Sequence, residues 1–234
     1  MIAIFKREIK GYFSSAIGYV YLGVFYMFAG FFFIVNELSA NSADMTGLFR
    51  SLIIILVFLI PVLTMRLMSE EKKQRTDQLL LTSPVGLFGV VFGKFLAALA
   101  IYGIGMAVTI VYSFVLALFV KMDTFVILGN IVGMLLLGSG LIAIGVFISN
   151  LTENQVISAV ASIFIMLMLY FVDAISSMFS NHFVSTLLSS ISIYSRYNNF
   201  ALGIFNLGDA VYYFSMAAVF LFLTVRVLEK RRWS

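Results

Sequence analysis

The composition and the hydropathy of the sequence together predict an all-α integral membrane protein with six transmembrane helices. Hydrophobic residues make up 62% of the 234 residues and charged residues 11%, whereas about a quarter of a soluble domain is charged. The mean hydropathy is +1.07. The apolar residues are gathered in stretches close to the about 20 residues that a helix needs to cross hydrocarbon. This composition leaves no room for a second, soluble domain.

Polar turns divide the chain, read as one domain over 1–234, into six predicted spans. Pro61 lies inside the second span and predicts a kink there, since proline removes a backbone hydrogen bond. Residues 85–94 are expected at the membrane surface before the third span. The first span is interpreted as retained and not as a signal peptide, because it is long and no cleavage site follows it. The predicted spans are 17–35, 48–68, 94–120, 124–148, 156–172 and 209–228.

Two further segments are predicted to lie at the membrane surface. Residues 1–13 form an amphipathic interfacial helix, whose cations meet anionic head groups of the membrane lipids. Residues 173–208 are too polar to span, yet they carry many apolar residues, so one or two short re-entrant or outer helices are expected before span 6. In the N-terminal helix, the apolar face holds Ile2, Phe5, Ile9, Tyr12 and Phe13, and the basic face holds Lys6, Arg7 and Lys10.

The distribution of lysine and arginine predicts the orientation. Twelve of these residues lie on the side of the two termini and of the polar run after span 2, and three lie on the other side, Arg50, Lys121 and Arg196. Positive charge marks the cytoplasmic side. Both termini are therefore expected in the cytoplasm of a bacterial cell, with the chain in its cytoplasmic membrane.

Candidate enzyme chemistry is sparse in this sequence. Gly93-Lys94 is followed by Phe95 and lacks the spacing of a phosphate loop. Ser139, between Gly138 and Gly140, has no base near it, since the sole histidine, His182, lies in the outer segment. Cysteine is absent, which excludes thiolate metal sites and disulfides. We therefore predict no catalytic residue, no metal site and no nucleic-acid partner.

A line of small and polar residues along span 5 leaves two interpretations open. It either faces a pathway or a second subunit, or it is a close contact between helices. The residues that define the line are Ser158, Ser162, Leu169 and Asp173.

The longest strongly polar run, Glu70–Pro84, separates spans 2 and 3. It reads EEKKQRTDQLLLTSP, with a charged first half and an apolar second half, and Val85 and then Gly93-Lys94-Phe95 follow it. Such a pattern suggests a short helix along the membrane surface, although a solvated loop also fits. The run resembles the E-E-(K/R)-x-x-G-T-x-x-L-L-x-x-S-P-V…G-K signature of ABC-2 type permeases. Arg196–Tyr213 also resembles the gliding-motility and copper-enzyme-maturation branch of that family.

The resemblance covers essentially the whole chain and implies a transmembrane permease subunit. It implies that the stretch between spans 2 and 3 is a cytoplasmic coupling helix docking on a separate ABC ATPase, which would bind ATP and Mg²⁺, with no cofactor in this chain. It also implies a second permease subunit, identical or different, and leaves room for an extracytoplasmic accessory protein. Arg75 departs from the pattern, because the family usually has glycine there. The implied coupling residues are Glu71, Lys72, Lys73, Gln74, Thr76, Asp77, Leu79, Leu80, Ser83 and Pro84, beside Phe5, Lys6, Arg7, Tyr12 and Phe13 of the interfacial helix.

Two other functions remain open from the sequence. One is a non-transporting membrane module that transmits the motion of an ATPase to an extracytoplasmic partner. The other is a substrate-capture or channel-like protein that works without an ATPase. The sequence identifies no substrate, and export is only the habit of the family.

Overall fold

The computed structural model describes residues 1–39, 44–76, 86–121, 123–176 and 192–232. Every regular element in these residues is helical, and six helices are long and apolar enough to cross a membrane, as predicted. A separate N-terminal helix, Ile2–Ser14, precedes them, and a short outer helix, Ile193–Ala201, lies between spans 5 and 6. The spans are Ala16–Leu38, Thr46–Lys73, Leu87–Ala117, Thr124–Leu151, Gln155–Ser176 and Leu207–Arg231.

The second and third spans differ most from the sequence prediction. Span 2 does not end at residue 68: helix Thr46–Thr64 turns at Met65 and continues as Arg66–Lys73. The charged half of the polar run is therefore an extension of span 2 and not part of a separate surface helix. Span 3 begins at Leu87 instead of residue 94. Leu87, Val90 and Val91 are buried, so this first part of the helix belongs to the packed bundle.

Span 4 is the centre of the bundle. It contacts spans 2, 3, 5 and 6 and the outer helix, and 67% of its most apolar window is buried, against 17% for span 5. Its glycines are placed where neighbours come close. A Cβ added at Gly138 would lie 2.3 Å from the Tyr102 ring, and one at Gly129 would lie 2.3 Å from the Phe200 carbonyl oxygen. These glycines therefore allow span 4 to pack closely against its neighbours.

The outer helix expected before span 6 packs on the bundle through one face. Ile193, Tyr197 and Phe200 are buried, because the glycines of span 4 leave room for this helix. The Tyr197 hydroxyl donates to Asn130 Oδ1 at 2.6 Å. Arg196 pairs with Asp209 at 3.1 Å and so joins the outer helix to the start of span 6. Of the polar segment 173–208, its first residues, through Ser176, continue the helix of span 5, and residues 177–191 lie outside the described ranges.

Candidate functional site

The N-terminal helix, the span 2 extension Arg66–Lys73 and the first turns of span 3 meet at one end of the bundle, which we call the charged end. The N-terminal helix packs on span 3 and span 1, with Ile4 lying against Gly93. Its partly buried Phe5, Ile9 and Phe13 lie on the core. The amphipathic pattern therefore places this helix against protein as well as membrane.

Four charged side chains from these three elements form what we call the ion-pair cluster: Arg7, Glu8, Glu71 and Lys94. Lys94 Nζ lies 3.0 Å from both Glu8 Oε1 and Glu71 Oε1, and it donates to the Leu67 carbonyl oxygen at 2.6 Å. Arg7 Nη2 pairs with Glu8 Oε1 at 2.6 Å and also with Glu71 Oε1. Each carboxylate thus contacts both cations.

Three of the four charged side chains of the cluster are largely buried. The side chain of Lys94 is 1% exposed, and those of Glu8 and Glu71 are 17% and 18% exposed. A buried charge is tolerated when it is paired and hydrogen-bonded, and the two cations balance the two carboxylates. Burial alone would raise the pKa of Glu8, but the charge of Lys94 and the hydrogen bonds from Arg7 and Lys94 hold that pKa below its ordinary value. The arrangement fixes three helices relative to one another.

Two hydroxyl groups stabilise the break in span 2 that leads into the cluster. Tyr12 donates to the Leu63 carbonyl oxygen at 2.7 Å. Ser149, from span 4, donates to the Met65 carbonyl oxygen at 2.9 Å and accepts from the backbone N–H groups of Met68 and Ser69. Backbone groups left unpaired at a helix break require such partners when they are buried. The extension is therefore joined to the rest of the bundle at its base.

The far end of the extension closes in a Schellman motif. The Thr76 N–H donates to the Glu71 carbonyl oxygen at 2.9 Å, and the Arg75 N–H donates to the Lys72 carbonyl oxygen at 3.0 Å. This pattern of two bonds ends many helices. It places the residue that donates the shorter-range bond, here Arg75, in the left-handed region. Arg75 has φ of 58°.

The structure places the sequence-predicted coupling residues in different environments. Glu71 is in the ion-pair cluster and Lys72 is buried, whereas Lys73 and Gln74 are exposed and Thr76 is partly buried. Glu71 and Lys72 are therefore covered by other parts of the protein, and their implied role in coupling stays a prediction. The remaining predicted positions, Asp77, Leu79, Leu80, Ser83 and Pro84, lie outside the described residues.

Corrections also apply to the predicted interfacial helix. Lys6 is exposed, whereas the half-exposed Arg7 pairs with Glu8 and Glu71 inside the protein. Phe5 and Phe13 are partly buried. Tyr12, however, is buried inside the protein by its contact with span 2, and Ile2 is 66% exposed while Ile4 takes the inward position. The buried face of the helix is therefore rotated relative to the predicted apolar face, because the helix packs closely on span 3.

The line along span 5 separates into two parts. Ser158 and Ser162 are fully buried on a helix that contacts spans 2 and 4, so they do not lie on an outer face of the subunit. Leu169 and Asp173 are partly buried, and Asp173 accepts a hydrogen bond from Ser192. The burial of the two serines favours the interpretation of a close contact between helices.

Glu8, Lys94 and Ser149 were not among the sequence-predicted site residues. The signal for Lys94 was a single lysine inside a long apolar helix, where an ionisable residue is expensive unless it is paired. Glu8 was missed because only the basic residues were considered on the polar face of the N-terminal helix. Ser149 carried no signal that separates it from other serines.

The described residues contain no group of three or more histidine, cysteine, aspartate or glutamate side chains able to hold a metal ion. The Ser139 hydroxyl donates to the Leu136 carbonyl oxygen at 2.6 Å, as serines packed within membrane helices commonly do. His182 lies outside the described residues.

Fold and site together define a polytopic helical membrane protein whose charged end ties its N-terminal helix to two spans. The chain belongs to the ABC-2 family transporter proteins, since the family model matches residues 5–231. A comparison with curated proteins finds no significant match. The chain is therefore a membrane permease of an ABC transporter, a transport component generally not catalytic alone, and the family works in general with an ABC ATPase.

Proposed function

We propose that this chain is the permease subunit of an ATP-driven exporter and that the charged end transmits the motion of a separate ATPase to the spans. The ATPase, with its own ATP and Mg²⁺, docks at the charged end on the cytoplasmic side of a bacterial cytoplasmic membrane. A second permease subunit, identical or different, completes the membrane part. The family match supports the class of protein, and the ion-pair cluster supports the coupling role.

The single observation that carries the coupling proposal is the position of Lys94. Its ammonium group contacts a carboxylate of the N-terminal helix, a carboxylate of the span 2 extension and a backbone carbonyl of span 2, while its own backbone is in span 3. The segment between residues 76 and 86 joins the two spans that this contact holds together. A force applied to that segment therefore acts on spans 2 and 3 and the N-terminal helix as one body, because the buried ion pairs resist their separation.

The test uses the complex of subunit and ATPase in lipid nanodiscs. Because the chain has no cysteine, a single cysteine in place of Lys121, exposed at the far end of span 3, reports on that end without background. We expect its labelling rate to change when ATP and vanadate trap the ATPase. We expect Glu71→Gln to retain the bound ATPase and lose this change.

Glu70→Gln is the matched control for the coupling test. Glu70 lies beside Glu71 but pairs with Arg66 one turn away on the same helix, a surface contact of small energy, so its variant should respond like the wild type. An unchanged response in Glu71→Gln would refute the coupling role of the cluster. Isolation of the wild-type subunit without any ABC ATPase would refute the proposed function as a whole.

The proposed orientation has its own test in intact cells. The Lys121→Cys protein should react with a membrane-impermeant maleimide, and a Gln74→Cys protein should react only after the cells are opened. Labelling of Gln74→Cys from outside would place the charged end on the wrong side of the membrane. A flux measurement with candidate substrates then separates export from transmission of motion to an extracytoplasmic partner.

A further inference from the structure

Arg75 holds a backbone conformation that a side chain disfavours. Its φ is 58°, and among the described residues the other positive φ belongs to a glycine, Gly203 at 74°. A residue with a Cβ is strained in this left-handed region, and glycine is the usual occupant. The two hydrogen bonds that end the span 2 extension require this conformation at position 75. The chain therefore keeps an arginine where the helix end favours glycine.

Nothing in the described part of the chain repays this strain. The Arg75 side chain is exposed, and it makes no ion pair or side-chain hydrogen bond within the described residues. The favourable charge at the helix C-terminus is already supplied by Lys72 and Lys73 in its last turn, where cations interact well with the helix dipole. The helix end requires the left-handed backbone but not an arginine, and a strained residue that the described fold does not repay points to a function of its side chain.

The position of Arg75 favours a protein partner over a lipid. The span 2 helix has 28 residues and is about 42 Å long at about 1.5 Å per residue, close to the full thickness of a bilayer with its head groups, about 40–45 Å. With Thr46 at one surface of the bilayer, such a helix carries residue 75, which follows its last turn, to the water side of the opposite head groups. Lys73 and Gln74 beside it are also exposed, so this tip presents basic and polar groups.

We propose that Arg75 recognises the partner ATPase by binding a carboxylate on an acidic patch of its surface. This inference rests on the proposed function and adds to it the chemistry of the partner's docking face. The planar guanidinium binds a carboxylate through two parallel hydrogen bonds. The left-handed backbone fixes the direction in which the side chain leaves the helix end.

The probe is the ABC ATPase that co-purifies with the wild-type subunit in mild detergent, identified by mass spectrometry and then produced separately. Its affinity for the detergent-solubilised subunit is measured for the wild type and for Arg75→Gly. Glycine relieves the backbone strain and removes the guanidinium, so the melting temperature of the subunit should not fall while affinity falls about five- to tenfold. Arg75→Lys should lose less affinity, because it keeps the charge. Lys10→Gln, which removes an exposed cation of the N-terminal helix, should bind like the wild type.

A side chain without a recognition role gives the opposite result: Arg75→Gly then binds the ATPase as well as the wild type or better, which would overturn the inference. A loss of affinity that appears in nanodiscs of anionic phosphatidylglycerol but not of phosphatidylcholine would assign the side chain to lipid and also overturn it. Equal binding of the ATPase by the wild type and Arg75→Gly leaves the proposed permease function standing. Recovery of the wild-type subunit with no ABC ATPase removes the proposed function itself, so the two failures are distinguishable.

Discussion

Replacing Lys94 by methionine tests whether the ion-pair cluster holds the charged end together. Methionine keeps most of the length and apolar volume of the lysine stem and removes the ammonium group. Glu8 and Glu71 then retain Arg7 alone, and the Leu67 carbonyl oxygen loses a bond that is 2.6 Å long in the wild type. The two carboxylates also lose the cation that lay 3.0 Å from each of them.

The expected loss of stability follows from the geometry. Removing one partner of a buried ion pair costs about 3–5 kcal/mol. The value here is lower, about 2–4 kcal/mol, because the carboxylates are 17% and 18% exposed and keep their contacts with Arg7. For a chain of this size, each kcal/mol corresponds to about 2–4 °C in melting temperature. The variant should therefore melt roughly 4–16 °C below the wild type.

The assay is the fraction of subunit that remains monodisperse on gel filtration in mild detergent after heating at a series of temperatures. Lys73→Met is the matched control, since Lys73 is exposed in the same region, and it should lie within about 0.5 kcal/mol of the wild type. A double-mutant cycle with Glu8→Gln should give a coupling energy of about 1 kcal/mol or more. Equal melting of Lys94→Met and Lys73→Met, or a coupling energy near zero, would show that the cluster contributes nothing to holding the helices.

Two further predictions concern acid and close packing. Because the pKa of Glu8 is lowered on folding, its stabilisation is present above its ordinary pKa of 4.5 and is lost as the pH falls through the lowered value; melting curves from pH 7 to 3 should show a smaller acid-dependent loss for Glu8→Gln, and an equal loss would contradict this. Gly138→Ala should destabilise by about 1–3 kcal/mol, since its Cβ would lie 2.3 Å from the Tyr102 ring, whereas Gly103→Ala, with no atom within 4 Å of its Cβ, should be neutral or slightly stabilising in the same thermal assay.

The hydropathy pattern was enough to predict the fold class and the number of spans. A segment that crosses hydrocarbon must hydrogen-bond its backbone polar groups within the protein. A long apolar stretch therefore has few alternatives to a spanning helix. The pattern predicted spans 48–68 and 94–120, and the helices extend beyond these bounds, to Lys73 in span 2 and back to Leu87 in span 3. Neighbouring protein covers these extensions. Ser69 and Lys72, which follow the predicted end of span 2, are buried in such an extension.

The polar run after span 2 was also recognisable from the sequence alone as the segment that joins spans 2 and 3. The family resemblance implied that Glu71, Lys72 and Lys73 take part in coupling. The sequence could not show which of them another helix covers, since positions along one helix reveal only local pairs. The structure instead pairs Glu71 with Arg7, 64 residues away in the chain, and buries Lys72. The exposed groups that remain at this tip are Lys73, Gln74 and Arg75.

By itself, then, the sequence determined a six-span helical membrane protein, the position of its principal polar segment and its family resemblance. Tertiary structure alone decided that Lys94 lies between Glu8 and Glu71, although Glu8 is 86 residues distant in the chain, and that Ser149 supports the break in span 2. The physical reason is that a sequence pattern reports on residues close together in the chain. Hydropathy and helix period are properties of neighbouring residues. A buried ion pair depends instead on which helix faces come together, and that is settled by packing between elements distant in the chain, such as Ile4 against Gly93.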